Sequence, residues 1–228
     1  MKNTNPISPT DLNTIIMSVI HEVKNSLLSS TASLDKISLE LSSAQQTEIN
    51  TVQNEIKNIN QSLMRMLTLY KMQTNIFSLS CDQHNVYDFL EELVFTNSSS
   101  LSSNKIELLL QCDEDLDWFF DLELISNVIN STINNALRYV KQKIIIKATI
   151  KNDLLSISVE DDGPGYSQKM LDQNQTPATE INFTMGKSGL GLFFSSTIAK
   201  LHQFKNKQGF TRISNLESGG SCFTIYLP

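Results

Sequence analysis

The sequence predicts an α+β protein: a two-helix hairpin that dimerises into a four-helix bundle, followed by an α/β sandwich with a mixed sheet and helices on one face. Three observations carry this prediction. Residues 8 to 75 contain neither Gly nor Pro after Pro9 and repeat apolar residues at helical spacing. From about residue 76, short strand-like apolar runs alternate with helical ones and are separated by turn residues. The 228 residues are enough to bury a real core and suit one or two domains. The expected division is 1–75 and 76–228.

In the first part, Ser8 or Thr10 can cap the opening helix. Leu12, Ile16, Val19, Val23, Leu27, Ser30, Leu34, Ile37 and Leu41 step by three or four residues, a coiled-coil stripe with one stutter. Ser42, Ser43 and Ala44 interrupt it at a polar turn. A second stripe runs Ile49, Val52, Ile56, Ile59, Leu63, Met66, Tyr70. Two such helices make an antiparallel hairpin with little core of its own. Pairing two hairpins buries both stripes, so a homodimer is expected, with packing against the rest of the chain as the alternative.

In the second part, Phe77–Cys81 reads as a strand and Val86–Val94 as a helix, with Val86, Phe89, Leu90 and Leu93 on its apolar face. The run TNSSSLSSNK, residues 95–104, reads as a loop. Ile106–Cys112 is a strand and Asp121–Val140 a strongly apolar helix. Ile144–Ile150 and Leu154–Val159 are strands about the turn Lys151-Asn152-Asp153. Tyr166–Lys187 is polar and irregular. Leu190–His202 is a helix, and Phe210–Ser214 and Cys222–Leu227 are strands about Ser218-Gly219-Gly220.

Hydrophobic residues make up 40% and charged residues 18% of the chain, with a net charge of -6. No basic field exists for nucleic acid or an anionic membrane. The polar N-terminus lacks signal-peptide order, and no apolar run approaches the roughly 20 residues of a membrane helix. Cys81, Cys112 and Cys222 are too widely spaced for a metal cluster or a disulfide framework, which fits reduced thiols and a cytoplasmic protein.

Helix geometry singles out His21. With His21 at zero and about 100° per residue, Leu12, Ile16, Val19, Val23 and Leu27 fall between roughly 160° and 240°, so His21 points away from the bundle core. Glu22 is adjacent, and Asn25 lies one turn on, on the same face. A carboxylate holding the proton of one ring nitrogen makes the other the nucleophile. Asn25 can orient a water or a phosphoryl oxygen. Met17 and Leu28 add an apolar docking surface for another protein. By itself this is equally a solvated helix face carrying a histidine.

Two glycine-rich runs follow. Val159-Glu160-Asp161-Asp162-Gly163-Pro164-Gly165 ends a strand, where Asp161 can accept an adenine amino group and Gly163 and Gly165 allow close backbone approach. The same residues would also serve an ordinary turn. Gly186-Lys187-Ser188-Gly189-Leu190-Gly191 opens a helix whose N–H groups can meet phosphates. Neither the Rossmann nor the P-loop order is present. Between them, the helix run Asn130-Ser131-Thr132-Ile133-Asn134-Asn135-Ala136-Leu137-Arg138-Tyr139 offers Asn oxygens for Mg²⁺, Arg138 for phosphate and Tyr139 to cover an adenine ring. Polar bundle residues are the alternative reading of those asparagines.

Taken together, the chain resembles the transmitter core of a two-component sensor histidine kinase. His21 to Leu27 resembles the histidine box, Asn135 to Tyr139 the asparagine box, Asp161 to Gly165 and Gly186 to Gly191 the two glycine boxes, and Ser218 to Pro228 the closing strand. The resemblance covers nearly the whole chain in consistent order. It implies a dimeric bundle and a Bergerat-type ATP-binding domain. It implies autophosphorylation on His21 assisted by Glu22, transfer to the aspartate of a response-regulator receiver docking near Met17, His21 and Leu28, and a phosphatase role for Asn25. ATP and Mg²⁺ would be bound, the metal by Asn135 and adenine by Asp161. Ser131 stands where the family has a second Asn, and Asp162 where Asn is common. No phenylalanine-rich box is visible, and Gln-Phe follows His202. These departures bear on autokinase rate more than on ATP binding, so a phosphotransferase, a phosphatase or a receiver-binding scaffold is the alternative. About twenty residues precede His21; if they are all that precede it in the protein, input is expected from a separate sensor protein, a shortened chain being the alternative.

Overall fold

The computed structural model describes residues 9–38, 43–73, 78–102, 106–174 and 189–228. The chain divides into two compact units, Met1–Phe77 and Ser78–Pro228.

The first unit is a helical hairpin of α1 (Pro9–Ser38) and α2 (Ser43–Gln73). Pro9 opens α1, where a missing N–H costs nothing and the fixed φ suits the first turn. The turn expected at Ser42–Ala44 falls in part outside the described residues. Gln53 Nε2 donates to Asp35 Oδ1 at 2.8 Å and ties the helices together. The apolar stripe divides in two. On α2, Ile49, Ile56, Leu63 and Tyr70 are half-buried, whereas Val52, Ile59 and Met66 are exposed. The two sets each repeat every seven residues, one facing α1 and one facing away. On α1, Ile20 is buried and Leu27, Thr31 and Leu34 half-buried, while Val19, Val23 and Ile37 are exposed. The side chains of Leu12, Ile16 and Leu41 lie outside the described residues.

The second unit is an α+β sandwich. Its five-stranded sheet has the order β2-β4-β5-β9-β8, with β2 (Glu107–Gln111), β4 (Lys143–Lys151), β5 (Leu154–Asp161), β8 (Phe210–Asn215) and β9 (Ser221–Leu227). Only the β2–β4 pair is parallel, so the sheet is mixed. Alternation places Ile144, Ile146, Ala148, Leu155, Ile157, Val159, Phe223, Ile225 and Leu227 in the core. Helices α4 (Leu122–Ala136) and α6 (Gly189–Leu201) pack on one another and on the sheet through Val128, Ile129, Ile133, Phe194 and Ile198. Asn152 and Asp153, at φ 53° and 56°, make the two-residue hairpin turn between β4 and β5.

Several boundaries differ from expectation. Ser78–Cys81 is not a strand; β1 is Asp82–Asn85, paired antiparallel with β3 (Asp117–Phe120), which periodicity over four residues could not show. Phe77 lies outside the described residues. The polar run after Val94 continues α3 (Val86–Ser102) instead of forming a loop. Its polar side chains satisfy themselves on the helix: Thr96 donates to the Glu92 carbonyl at 2.8 Å and Asn97 to the Leu93 carbonyl at 2.7 Å. Helix α4 stops at Ala136, four residues early, with Tyr139 and Val140 N–H both returning to the Ala136 carbonyl. A short helix α5 (Gln168–Asn174) lies in the stretch read as irregular, and a small hairpin, β6 (Gln203–Phe204) with β7 (Lys207–Gln208), precedes β8.

Candidate functional site

In the second unit a cavity of about 270 Å³ opens between α4, the loop after β5, α5, the start of α6 and β9. Asn135, Arg138, Tyr139, Asp161, Gly165 and Gly191 line it, six of the residues singled out from sequence. Gly189 is the first residue of α6, and Gly186, Lys187 and Ser188 lie outside the described residues. Ser131, singled out from sequence as a departure, lines it too, and a further set had no sequence signal of its own: Thr132, Tyr166, Met170, Ser195, Ser221 and Phe223. They reach the cavity only because α4, α5, α6 and β9 converge there.

Asp161, buried at the end of β5, is held on both oxygens. Its Oδ1 accepts the Gly163 N–H at 2.8 Å, and its Oδ2 accepts a short hydrogen bond from the Ser221 hydroxyl across the β5–β9 register. Gly163 is itself buried and does not line the cavity. A side chain there would stand 2.7 Å from Asp161 Oδ1 and 2.8 Å from the Tyr139 carbonyl oxygen. Its smallness lets the turn after α4 approach Asp161, which is a supporting role and not contact with a ligand. Asp162 completes that turn by accepting the Lys141 N–H at 2.8 Å and the Gln142 N–H at 3.0 and 3.1 Å. Burial pushes its carboxyl up, but these backbone N–H groups outweigh burial and hold it below its usual value.

Gly165 has φ +82°, where a side chain is strained, and a Cβ there would stand 2.8 Å from Asn215 Oδ1. Next to it, burial and then the charge of Asp161 push the Tyr166 phenol up to about 12, against the lowering effect of its hydrogen bond with Ser221.

Asn135 offers the cavity a hard oxygen donor. Its carboxamide makes no hydrogen bond to a described residue, whereas the hydroxyls of Thr132 and Ser195 are returned to the Val128 and Gly191 carbonyls at 2.9 and 3.0 Å. An uncommitted amide oxygen beside Arg138 fits a Mg²⁺-bound phosphate chain. No cluster of three or more His, Cys, Asp or Glu able to hold a metal occurs among the described residues.

In the first unit, His21 lies on an exposed face of α1 within a shallow polar depression that includes Ser18, Glu22, Asn25, Ser26 and Ser29. Asn25 Nδ2 stands 3.2 Å from His21 Nδ1, so the partner found for the ring is Asn25. No hydrogen bond joins His21 to Glu22, the residue expected to hold the ring proton; from the next position on the helix Glu22 points about 100° away. Leu28 is 52% exposed. The side chain of Met17 lies outside the described residues.

Residues 120–228 match the family described as histidine kinase-, DNA gyrase B-, and HSP90-like ATPase. Histidine kinase P4 of Formosa agariphila is 24% identical over 188 residues, covering 78% of this chain and 13% of that protein. Sensor histidine kinase CpxA of Escherichia coli K12 is 29% identical over 108 residues, 46% of this chain and 22% of that protein. The chain thus spans a minor part of these relatives. Among solved structures, full-length ShkA in complex with AMPPNP superposes with a TM-score of 0.66 at 16% identity, over 94% of this chain and 45% of that one. The second unit therefore has the ATPase-like fold found in the catalytic domains of histidine kinases. No helix among the described residues is long and apolar enough to cross a membrane.

Proposed function

We propose that the chain is an ATP-dependent protein-histidine kinase of a two-component pair, acting as a cytoplasmic homodimer. The carrying observation is the cavity that brings Asn135, Arg138, Asp161, Gly165 and Gly191 together. Asp161, its oxygens fixed by Gly163 and Ser221, accepts the amino group of adenine with a remaining lone pair. Tyr139 shields the base at the rim, and Arg138 and the backbone at Gly189–Gly191 meet the phosphates. Asn135 would hold Mg²⁺, which neutralises phosphate charge when bound.

The phosphoryl acceptor is His21. Asn25 presenting its Oδ1 to Nδ1–H would leave the Nε2 lone pair pointing outward; the amide must turn over from the orientation given above to do so. Nε2 then attacks the γ-phosphorus, the bond to the β,γ-bridging oxygen breaks, and ADP leaves with that electron pair. Glu22 assists by swinging its carboxylate to Nδ1 in place of Asn25 and taking up that proton. A receiver aspartate docked over His21 and Leu28 takes the phosphoryl group as the P–N bond breaks. Asn25 orients water for the reverse, dephosphorylating activity. The free cysteines, Cys81 exposed among them, suit a reducing compartment.

Ser131 favours a second reading. It lines the cavity with a hydroxyl shorter than a carboxamide, which fits a phosphotransferase or phosphatase with weak autokinase activity. Incubation with γ-labelled ATP and Mg²⁺ separates the two. The kinase reading expects acid-labile label on the wild type and none on His21→Gln. ATP binding without label supports the second reading, and neither binding nor label leaves only a scaffold.

A further inference from the structure

Asn215 closes β8, belongs to none of the glycine or asparagine runs, and does not line the cavity. Its carboxamide nevertheless holds one wall of the cavity. Residues 162–167 follow β5 with neither helix nor strand. Within that loop the backbone of Tyr166 is gripped at both ends by one side chain: Asn215 Oδ1 accepts the Tyr166 N–H at 2.6 Å, and Asn215 Nδ2 donates to the Tyr166 carbonyl at 2.9 Å. The amide thus does for the loop what a neighbouring strand would do, supplying one donor and one acceptor to one residue. The grip also sets what can precede it, since a Cβ on Gly165 would stand 2.8 Å from Oδ1 and 2.9 Å from Cγ of Asn215. Gly165, Tyr166 and Ser167 line the cavity. Asn215 pairs in register with Ser221, and Ser221 with Asp161, so the loop is referenced to the same row of the sheet that carries the buried carboxylate.

We infer that Asn215 is a positioning residue for nucleotide binding, fixing Gly165 and Tyr166 as the wall against which the base packs. The inference rests on the ATP-binding reading above. Without the carboxamide, the loop samples several conformations, and nucleotide must select the competent one, which raises the apparent Kd in inverse proportion to its population.

The test is titration of the full chain with a non-hydrolysable ATP analogue and Mg²⁺, alongside steady-state autophosphorylation, on five proteins: wild type, Asn215→Ala, Asn215→Asp, Gly165→Ala, and the double variant Gly165→Ala/Asn215→Ala. Asn215→Ala should weaken the analogue about tenfold and raise the KM for ATP with kcat nearly unchanged, because two net hydrogen bonds are lost far from the reacting atoms. Asn215→Asp keeps the acceptor and loses the donor, so it should fall between. Gly165→Ala should cost less in the Asn215→Ala background than in the wild type, because the obstructing carboxamide is gone. Analogue affinity and KM unchanged in Asn215→Ala, or strictly additive losses at 165 and 215, overturn the positioning role. A wild type that binds no analogue overturns the ATP reading and this inference with it. Should Asn215→Ala fail to fold, the Asn215→Asp comparison decides: unchanged affinity refutes, and a partial loss with unchanged kcat supports.

Discussion

Asp161 illustrates how single residues shape the site. A buried carboxylate needs partners, and here each oxygen has one, from Gly163 N–H and from Ser221 hydroxyl. With both oxygens held, the carboxylate is oriented before any nucleotide arrives. Asp161→Asn replaces one accepting oxygen with a donor and opposes a neighbouring donor. Hydrogen bonds to charged groups contribute about 1.5–3 kcal/mol, so affinity for adenine nucleotides should fall roughly ten- to a hundredfold. Isothermal titration checks this, and an unaltered Kd would remove Asp161 from base recognition. At the same scale, the strand-end Asp, the asparagine run and the glycines were legible because their types and order carry chemistry. Asn215 and Tyr166 were not, since a clamp between a loop and a strand 49 residues on leaves no local pattern.

At the scale of elements, the helices flanking the cavity are joined end to end. Asp121 caps α4, accepting the Leu124 N–H at 3.0 Å on Oδ1 and the Ser80 N–H at 3.0 Å on Oδ2. His202, just past α6, accepts the Asp121 N–H on Nε2 at 3.1 Å, and its Nδ1 stands 2.9 Å from the Ile198 carbonyl, to which it donates. Both ring nitrogens are therefore used by the neutral tautomer. Burial pulls the His202 imidazole below its usual value, more than the Ile198 carbonyl and Asp121 raise it. A histidine with a lowered folded value binds its proton more readily when unfolded. Its stabilisation is thus complete above the unfolded value near 6.5 and declines as pH falls below it. The thermal midpoint of the second unit should drop between pH 7.5 and 5.5, and the drop should be smaller in His202→Gln. Equal pH slopes by calorimetry would contradict this account. None of this was visible in the sequence, where His202 marked only a departure at the end of a helix.

For the whole molecule, the division of the hairpin stripe has a consequence. One row of each helix packs inside the hairpin, while Val19, Val23 and Ile37 on α1 and Val52, Ile59 and Met66 on α2 stay 36–57% exposed. Two hairpins joined through those rows would form the proposed bundle. Val23→Lys with Ile59→Lys should then convert a dimer to a monomer. An unpaired buried charge costs about 3 kcal/mol or more, roughly a hundredfold in the dimer's Kd. Sedimentation equilibrium reports the change, and ATP-analogue binding should persist; a wild type that is monomeric at all concentrations would refute the bundle.

Periodicity and composition by themselves determined the helical hairpin, the mixed α/β half, the exposure of His21 and the runs that furnish Asn135, Asp161, Gly165 and Gly191, because those features are local and repeat at the spacing of one element. Only the tertiary structure decided which row of each stripe is covered, that Asn25 is the ring's partner, that Gly163 supports and does not line the cavity, that Ser221 and Tyr166 complete it, and that Asn215 holds the Tyr166 backbone from behind. Those outcomes depend on strand register and on side chains meeting across long sequence separations, which no local pattern records.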